Sequence, residues 1–332
     1  MGTAIERIVD AALEGHAPDV DELTLLCALD PFSRDAYYLR WGAHELQRRA
    51  SGGRGEVFSQ IGIDAYPCDG GCTFCSFSTA NNSWEGDLEV DVETVLGYAR
   101  RLAAKGLHML SLMTTNSYDF GRFCDLAACV REAVGPELSL MANIDDFDGE
   151  QAERLAEAGI NSVYNAARLG EGVITGIPIE RRFETLDAAC EAGLSICSGI
   201  EPLRPGLDPR DIAERIVQVV AYDPVLFASC SLVPVAGTKW EGCCTTLRPW
   251  REMVNCACRL AGTDRVPHVY SSTSWVTLGT RPRGIKAVLP DELDGMFEAE
   301  RARVEDEGWE VVPGERTPRW FTDAWRKRHC MR

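Results

Sequence analysis

The sequence predicts an α/β fold, a (βα)8 barrel of the TIM type that is complete or nearly so, with a helical extension in front. Three observations support this. Short apolar runs alternate with helical stretches from residue 57 onward. About eight such units follow one another, which is the number that closes a barrel. Glycines at 106, 159 and 193 each follow a predicted helix, where a left-handed C-cap is expected.

The first fifty residues differ from the rest. Residues 21–29 and 35–49 repeat apolar side chains at helical spacing, and the glycine-rich residues 51–55 interrupt the pattern. We therefore expect a helical extension at residues 1–54, a barrel at 55–290, and a C-terminal helix and tail at 291–332.

The barrel elements follow from the same periodicities. The predicted strands are 57–65, 108–113, 138–142, 162–166, 194–200, 225–233 and 269–272, with a weaker eighth at 285–289. The predicted helices are 91–105, 120–134, 149–158, 179–192, 209–220 and 249–261. Repeated strand–helix units favour a parallel sheet, and enzymes built on such barrels carry their chemistry on the loops that follow the strands.

Charge and composition exclude several classes of function. The chain has 34 basic and 51 acidic residues, a net charge of −17, so phosphate backbones would repel it and nucleic acid is not expected as a partner. No apolar run reaches the roughly 18 residues of a membrane span, and the N-terminus lacks the pattern of a secretory signal. We expect a cytoplasmic protein whose 14 cysteines are reduced thiols or metal ligands.

Three of these cysteines form the most informative motif. Cys68, Cys72 and Cys75 have the spacing C-x3-C-x2-C directly after the first predicted strand. Three thiolates can hold three irons of a [4Fe–4S] cluster and leave the fourth iron open to another ligand. Gly70 and Gly71 allow a tight turn around a bulky group, because glycine accepts positive φ at low cost. A structural zinc site, which usually has four ligands, and a non-catalytic iron–sulfur protein are the alternatives.

This motif resembles that of the radical S-adenosylmethionine (SAM) superfamily. More narrowly, the chain is similar to the branch that contains biotin synthase, methylornithine synthase and the [FeFe]-hydrogenase maturase. Further stretches at 43–49, 57–63, 180–186, 192–200 and 232–238 carry the resemblance, although Lys239 stands where the branch usually has proline.

The resemblance implies two cofactors, a [4Fe–4S] cluster and SAM. The amino and carboxylate groups of SAM would chelate the open iron, and one electron from the reduced cluster would break a C–S bond. The resulting 5′-deoxyadenosyl radical would take a hydrogen atom from the substrate. Implied partners are a small-molecule substrate and an electron donor of the flavodoxin or ferredoxin type.

The resemblance also implies cofactor-binding roles for five residues. Arg182 corresponds to an arginine that pairs with the SAM carboxylate, although a solvated helix arginine is the alternative. Phe74 would lie by the adenine, with simple packing as its alternative. Asn165 would touch SAM or substrate, Ile200 would meet the adenine through its backbone, and Glu201 would bind the ribose or a substrate amine.

The substrate side of the site is less constrained by the sequence. Asn143 and Asp145 follow the third predicted strand and could hold a cationic substrate, unless they belong to a solvated loop. Ser272 and Thr273 at the predicted seventh strand would offer hydroxyl donors to a carboxylate. Each assignment is a hypothesis drawn from position at a strand end.

A second cluster, which biotin synthase uses as its sulfur donor, is not expected to be complete here. Cys197 matches one of its three cysteines, and Cys230 could join it in another arrangement, but the second and third strands lack cysteine and the seventh lacks arginine. We therefore expect a rearrangement or fragmentation of an amino acid or cofactor precursor, as in methylornithine synthase. Sulfur insertion with an atypical second cluster is the alternative.

Overall fold

The computed structural model describes residues 2–81, 86–262, 273–281, 284–315 and 318–331. The chain begins with α1 (Ala4–Leu13), α2 (Val20–Cys27) and α3 (Arg34–Ser51). Each starts where a side-chain oxygen of Thr3, Asp19 or Ser33 accepts a backbone N–H of the first turn. The expected N-terminal helices are therefore present, and their apolar faces join the same core as the barrel. The division into three domains stays a prediction.

The fold is built on one eight-stranded sheet. Its strands are β1 (Glu56–Gly62), β4 (Met109–Met113), β5 (Ser139–Asn143), β6 (Ser162–Tyr164), β7 (Ser195–Leu203), β8 (Leu226–Ser231), β9 (Thr273–Arg281) and β10 (Gly284–Lys286). They lie in the order β10-β9-β1-β4-β5-β6-β7-β8, and all neighbours are parallel except β10 and β9. A separate antiparallel pair, β2 (Asp64–Ala65) and β3 (Leu88–Glu89), flanks the end of β1. The α/β barrel-type fold is confirmed.

Helices connect the strands as the sequence predicts. They are α4 (Val92–Ala104), α5 (Phe120–Val134), α6 (Gly149–Glu157), α7 (Ile179–Glu191), α8 (Pro209–Val220), α9 (Arg248–Ala261) and α10 (Pro290–Asp306). The glycines at 106, 159 and 193 have φ between 77° and 88°. Among the described residues, no helix combines the length and apolar character needed to span a membrane.

The last two predicted strands differ from expectation. The weak eighth strand is β10, which is shorter than predicted and pairs antiparallel with β9, with Gly284 opposite Arg281. The predicted strand at 269–272, including Ser272, lies outside the described residues. The seventh described parallel strand is β9, which starts at Thr273 and pairs directly with β1, Glu56 opposite Thr273.

The C-terminal segment covers the end of the sheet where the strands begin. A 3₁₀ turn (Pro318–Trp320) and α11 (Asp323–Arg328) bring Trp320 and Trp325 into the core, each 1% exposed. The Asn161 amide donates to the Trp320 carbonyl at 2.6 Å, and the Trp325 indole donates to the Ile160 carbonyl at 2.8 Å. Ile160 and Asn161 precede β6, so the segment closes the amino-terminal end of the barrel.

Candidate active site

The cysteine motif lies in a loop that is closed on itself after β2. The Cys68 amide donates to the Phe77 carbonyl, and the Thr79 amide donates to the Cys68 carbonyl, both at 2.8 Å. The Asn81 side chain donates to the carbonyls of Cys72 at 3.0 Å and Cys75 at 2.9 Å. The backbone that carries all three thiols is therefore fixed by hydrogen bonds from within the same loop.

A second loop, residues 168–178, packs against the cysteine loop. Gly71 has φ +66°, and a Cβ atom there would lie 2.8 Å from the Gly176 nitrogen. The Gly176 amide donates to the Gly70 carbonyl at 2.9 Å, and the Thr73 amide donates to the Ile174 carbonyl at 2.8 Å. Residue 71 therefore has to be glycine, because its φ is positive and the backbone of Gly176 lies too close for a Cβ atom.

The thiols open into a cavity of about 830 Å³ at the carboxyl ends of the strands. This volume lies in the upper part of the range for small-molecule sites, roughly 300–1,000 Å³. Eight of the residues singled out from the sequence line this cavity together: Cys68, Cys72, Phe74, Cys75, Asn143, Arg182, Glu201 and Cys230. Residues from five separate segments of the chain therefore converge on one space.

Arg182 is held in the cavity wall by two carboxylates. Its Nη1 donates to Asp146 Oδ2 at 3.0 Å, and its Nε donates to Glu171 Oε1 at 2.8 Å. All three side chains are nearly inaccessible to solvent. Within the described part of the chain, no hydrogen bond involves Nη2 of Arg182, so one edge of the guanidinium is available to an anionic ligand.

A neighbouring network involves two residues that sequence reasoning missed, Tyr164 and Arg168. The Tyr164 hydroxyl donates to Glu201 Oε2 at 3.0 Å, and Arg168 Nε lies 3.2 Å from Glu201 Oε1. Burial by itself would lower the pKa of Arg168, but the carboxylates of Glu201 and Glu171 raise it above its usual value. The signal that could have found Arg168 is its position in the loop after the fourth strand of a barrel.

Other predicted residues lie near the cavity without lining it. Asn165 is 3% exposed; its Nδ2 donates to Asp146 Oδ1 at 2.8 Å, and its buried Oδ1 has no partner among the described residues. Asp145 lines a separate cavity of about 140 Å³, and burial raises the pKa of its carboxyl group. Ile200 is fully buried in the core.

Cys197 is in register with Tyr164 and Leu226, which line the cavity, yet it is fully buried and does not reach the cavity surface. Burial raises the pKa of its thiol. The structure therefore does not bring Cys197 and Cys230 together in this cavity. Ser272 lies outside the described residues, and of Thr273 only the backbone is described.

The donor set fits an iron–sulfur cluster with an open iron. All three cysteines of the motif are free thiols. Burial raises the pKa of Cys72 to about 11, and the nearby Arg168 opposes this by favouring the thiolate. In the described ranges, no three His, Cys, Asp or Glu side chains converge as a single ion requires. A four-iron cluster binds each thiolate through a different iron. The open edge of Arg182 and the orphaned Oδ1 of Asn165 add polar groups for a bound cofactor.

Comparison with known proteins agrees with this geometry. Residues 66–217 match the family model of the radical SAM superfamily. Biotin synthase of Heliobacterium modesticaldum is 27% identical over 252 residues, 73% of this chain and 76% of the relative. Biotin synthase of Pelotomaculum thermopropionicum is 26% identical over 189 residues, 54% of this chain and 57% of the relative.

Two solved structures share the fold. Methylornithine synthase (PylB) superposes with a TM-score of 0.76 at 18% identity, covering 92% of this chain and 98% of that structure. The [FeFe]-hydrogenase maturase HydG of Carboxydothermus hydrogenoformans superposes with a TM-score of 0.72 at 17% identity, covering 98% of this chain and 81% of that structure.

The cysteine motif, the cavity and the match to the family model together define the class of protein. The chain is an enzyme of the radical SAM superfamily. Within that superfamily it is similar in sequence to biotin synthases, and it shares the fold of methylornithine synthase and of the [FeFe]-hydrogenase maturase.

Proposed function

We propose that this enzyme reductively cleaves SAM at a [4Fe–4S] cluster bound by Cys68, Cys72 and Cys75. The radical so formed would remove a hydrogen atom from a small biosynthetic substrate, an amino acid or a cofactor precursor. The observation that carries the proposal is that the three thiols share one cavity with the open edge of Arg182 and with Glu201. When bound, the reduced cluster and SAM supply the hydrogen-abstracting radical, and the protein supplies orientation and a shielded space.

The residues around Arg182 suit the carboxylate of SAM. Asp146 and Glu171 fix the guanidinium in place, so its remaining N–H groups are oriented before a ligand arrives. A third carboxylate, at the free edge, would receive a charge-assisted hydrogen bond at little cost in side-chain entropy. Phe74 and Asn165 would complete the cofactor side, with Asn165 Oδ1 accepting from a ribose hydroxyl or an amine.

The substrate side would lie toward Asn143, Glu201 and Cys230. Glu201 is held by Tyr164 and Arg168 and presents a fixed acceptor to a ribose hydroxyl or substrate amine. The burial of Cys197 away from the cavity supports a rearrangement or fragmentation, as in methylornithine synthase, over sulfur insertion. One-electron donors of the flavodoxin or ferredoxin class would serve this enzyme in a reducing compartment such as the cytoplasm.

The test is anaerobic reconstitution with iron and sulfide, then incubation with dithionite and SAM and chromatography for 5′-deoxyadenosine. We expect about four irons per chain and steady product formation. Arg182→Lys should weaken SAM binding, because lysine lacks the planar group that bonds to Asp146 and Glu171 and still presents a further N–H donor, whereas Arg181→Lys, at the neighbouring residue, should not.

A brown, cluster-loaded protein that never forms 5′-deoxyadenosine would instead support a non-catalytic iron–sulfur protein. Zinc without iron in the native protein would support a zinc scaffold. Lysine, ornithine and desthiobiotin can then be compared as accelerators of SAM cleavage, since a true substrate draws the radical forward. Acceleration by desthiobiotin with sulfur transfer would favour the biotin-synthase-like alternative.

A further inference from the structure

Among the described residues, the wall of the cavity beside β8 is made by a helix. β8 pairs with β7 on one side, and on its other side α9 packs against it. The Ser229 amide donates to Asn255 Oδ1 at 2.6 Å, and the Ser229 hydroxyl donates to the Arg251 carbonyl at 3.1 Å. Because Arg251 and Asn255 are four residues apart, they lie on one face of α9. Both line the cavity that contains the three motif cysteines.

Arg251 differs from the other arginines near this wall. Arg168 and Arg182 are paired with carboxylates inside the cavity, and Arg248, one turn earlier on α9, pairs with Glu252 at 2.8 Å. Across the described chain, no ion pair or side-chain hydrogen bond engages Arg251, and its Nε is shielded from solvent without a partner. A shielded N–H donor without a partner is costly unless a ligand supplies an acceptor, and this N–H belongs to a side chain that lines the cavity.

Asn255 adds a second donor at the same place. Its Oδ1 is occupied by the Ser229 amide, so the amide group is anchored and its Nδ2 remains to donate. The carboxylate of Glu201, beside Cys230, also lines the cavity, and Arg168 and Tyr164 already bind it. Arg251 therefore lines the cavity without an ion-pair partner among the described residues.

We propose that Arg251 and Asn255 form a carboxylate-binding subsite that anchors the substrate of this enzyme. The substrate class is a small molecule with a carboxylate, such as an amino acid. That the bound carboxylate belongs to the substrate rests on the function proposed above, in which the carboxylate of SAM binds to Arg182 instead. A guanidinium and a primary amide together offer the parallel N–H donors that a carboxylate accepts.

Cys230 gives a direct test, because its thiol is open to the cavity and lies within the electrostatic reach of Arg251. Burial raises the pKa of the Cys230 thiol to about 12, so only a small thiolate fraction reacts at pH 9 and the labelling times are long. The cluster-loaded protein, without SAM, is treated at low ionic strength and pH 9 with iodoacetate or with iodoacetamide. Alkylation of the Cys230 peptide is followed by mass spectrometry. The anionic reagent reports local attraction of a carboxylate, and the neutral reagent corrects for thiol reactivity and access.

We expect the iodoacetate-to-iodoacetamide rate ratio at Cys230 to fall about fivefold in Arg251→Gln, the size of one unit charge a few ångströms away in water. Arg251→Lys should keep the ratio, since it keeps the charge. The matched control Arg248→Gln should equal wild type, because that side chain is exposed and paired elsewhere.

An unchanged ratio in Arg251→Gln would overturn the subsite. Formation of 5′-deoxyadenosine is measured on the same wild-type preparation. If the wild-type protein forms no 5′-deoxyadenosine but the labelling ratio still depends on Arg251, the proposed function is wrong and the anion-binding site remains. If SAM is cleaved but the labelling ratio does not depend on Arg251, only the proposed subsite is wrong.

Discussion

The two ends of this barrel are built on opposite principles. At the carboxyl end of the strands, charged side chains are held rigidly but incompletely, as Arg182 between Asp146 and Glu171 shows. At the amino end, Trp320 and Trp325 are buried with their indole N–H groups bonded. Polar groups that can still form hydrogen bonds are suited to ligand binding, whereas buried tryptophans with bonded N–H groups stabilise the fold. We therefore assign catalysis to the carboxyl end of the strands and stability to the amino end.

The strongest test of this contrast removes one thiol from the cavity end. In Cys72→Ala, we expect loss of the cluster and 5′-deoxyadenosine at the background of cluster-free protein, because two thiolates hold the cluster poorly. The unfolding free energy of the apoprotein should change by less than about 1 kcal/mol. Iron analysis, chromatography and denaturant unfolding measure the three quantities.

The control for this variant is Cys129→Ser, at an exposed thiol on α5. It should retain iron and activity. Full iron content in Cys72→Ala would contradict the assignment of the motif.

The matching change at the closed end is Trp325→Ala. Removing a buried tryptophan should lower the unfolding free energy by about 4 kcal/mol, because transfer energy is lost and a void is left. Per folded and cluster-loaded molecule, SAM cleavage should be unchanged. Urea unfolding is compared with that of Trp41→Ala, an exposed tryptophan on α3 that should cost much less. If Trp325→Ala greatly reduced SAM cleavage without lowering the unfolding free energy, the two ends would not have the separate roles assigned to them.

A third change asks whether the charged end also contributes stability. Glu171 is fully buried and accepts from Arg182 and from Thr175, with Arg168 at 3.4 Å. Glu171→Gln should lower the unfolding free energy by about 3 kcal/mol, because it leaves buried guanidinium groups undercompensated. It should also weaken SAM binding, measured by calorimetry, by freeing Arg182 to move.

Glu184→Gln is its control, since Glu184 is exposed and pairs with Arg181 at 3.5 Å. It should change the unfolding free energy by less than about 0.5 kcal/mol. Equal effects of the two substitutions would argue against a special role for the buried network.

The smallest effect concerns Cys197, which lies between the two ends. Cys197→Ala should cost about 1 kcal/mol of stability through lost packing, with iron content unchanged. Because burial raises the pKa of this thiol, the folded state keeps its proton while the unfolded chain loses it near pH 9. Stability should therefore fall as the pH rises above 9, by at most about 1.4 kcal/mol per pH unit from this group.

Unfolding measured from pH 7 to 11 in both proteins gives the contribution of Cys197 as the difference in slope. A drop in iron per chain in the variant would revive the alternative of a second cluster.

The sequence by itself determined the α/β barrel-type fold, the helical start and the cysteine motif. These depend on local periodicity and on spacing within a few residues, such as that from Cys68 to Cys75. It also pointed to Arg182, through the family resemblance, and to Glu201, through its position at the end of the fifth predicted strand.

Only the tertiary structure decided which distant side chains meet. Arg168 and Tyr164 share Glu201, Arg251 reaches the cavity from a helix, and Cys197 is buried away from the site. The direction of β10 and the closure of the barrel by Trp320 and Trp325 were likewise not readable from the sequence. Such contacts join residues from different elements, 37 positions apart for Tyr164 and Glu201 and 159 for Asn161 and Trp320. No local pattern encodes them, because they arise from the curvature and register of the assembled sheet.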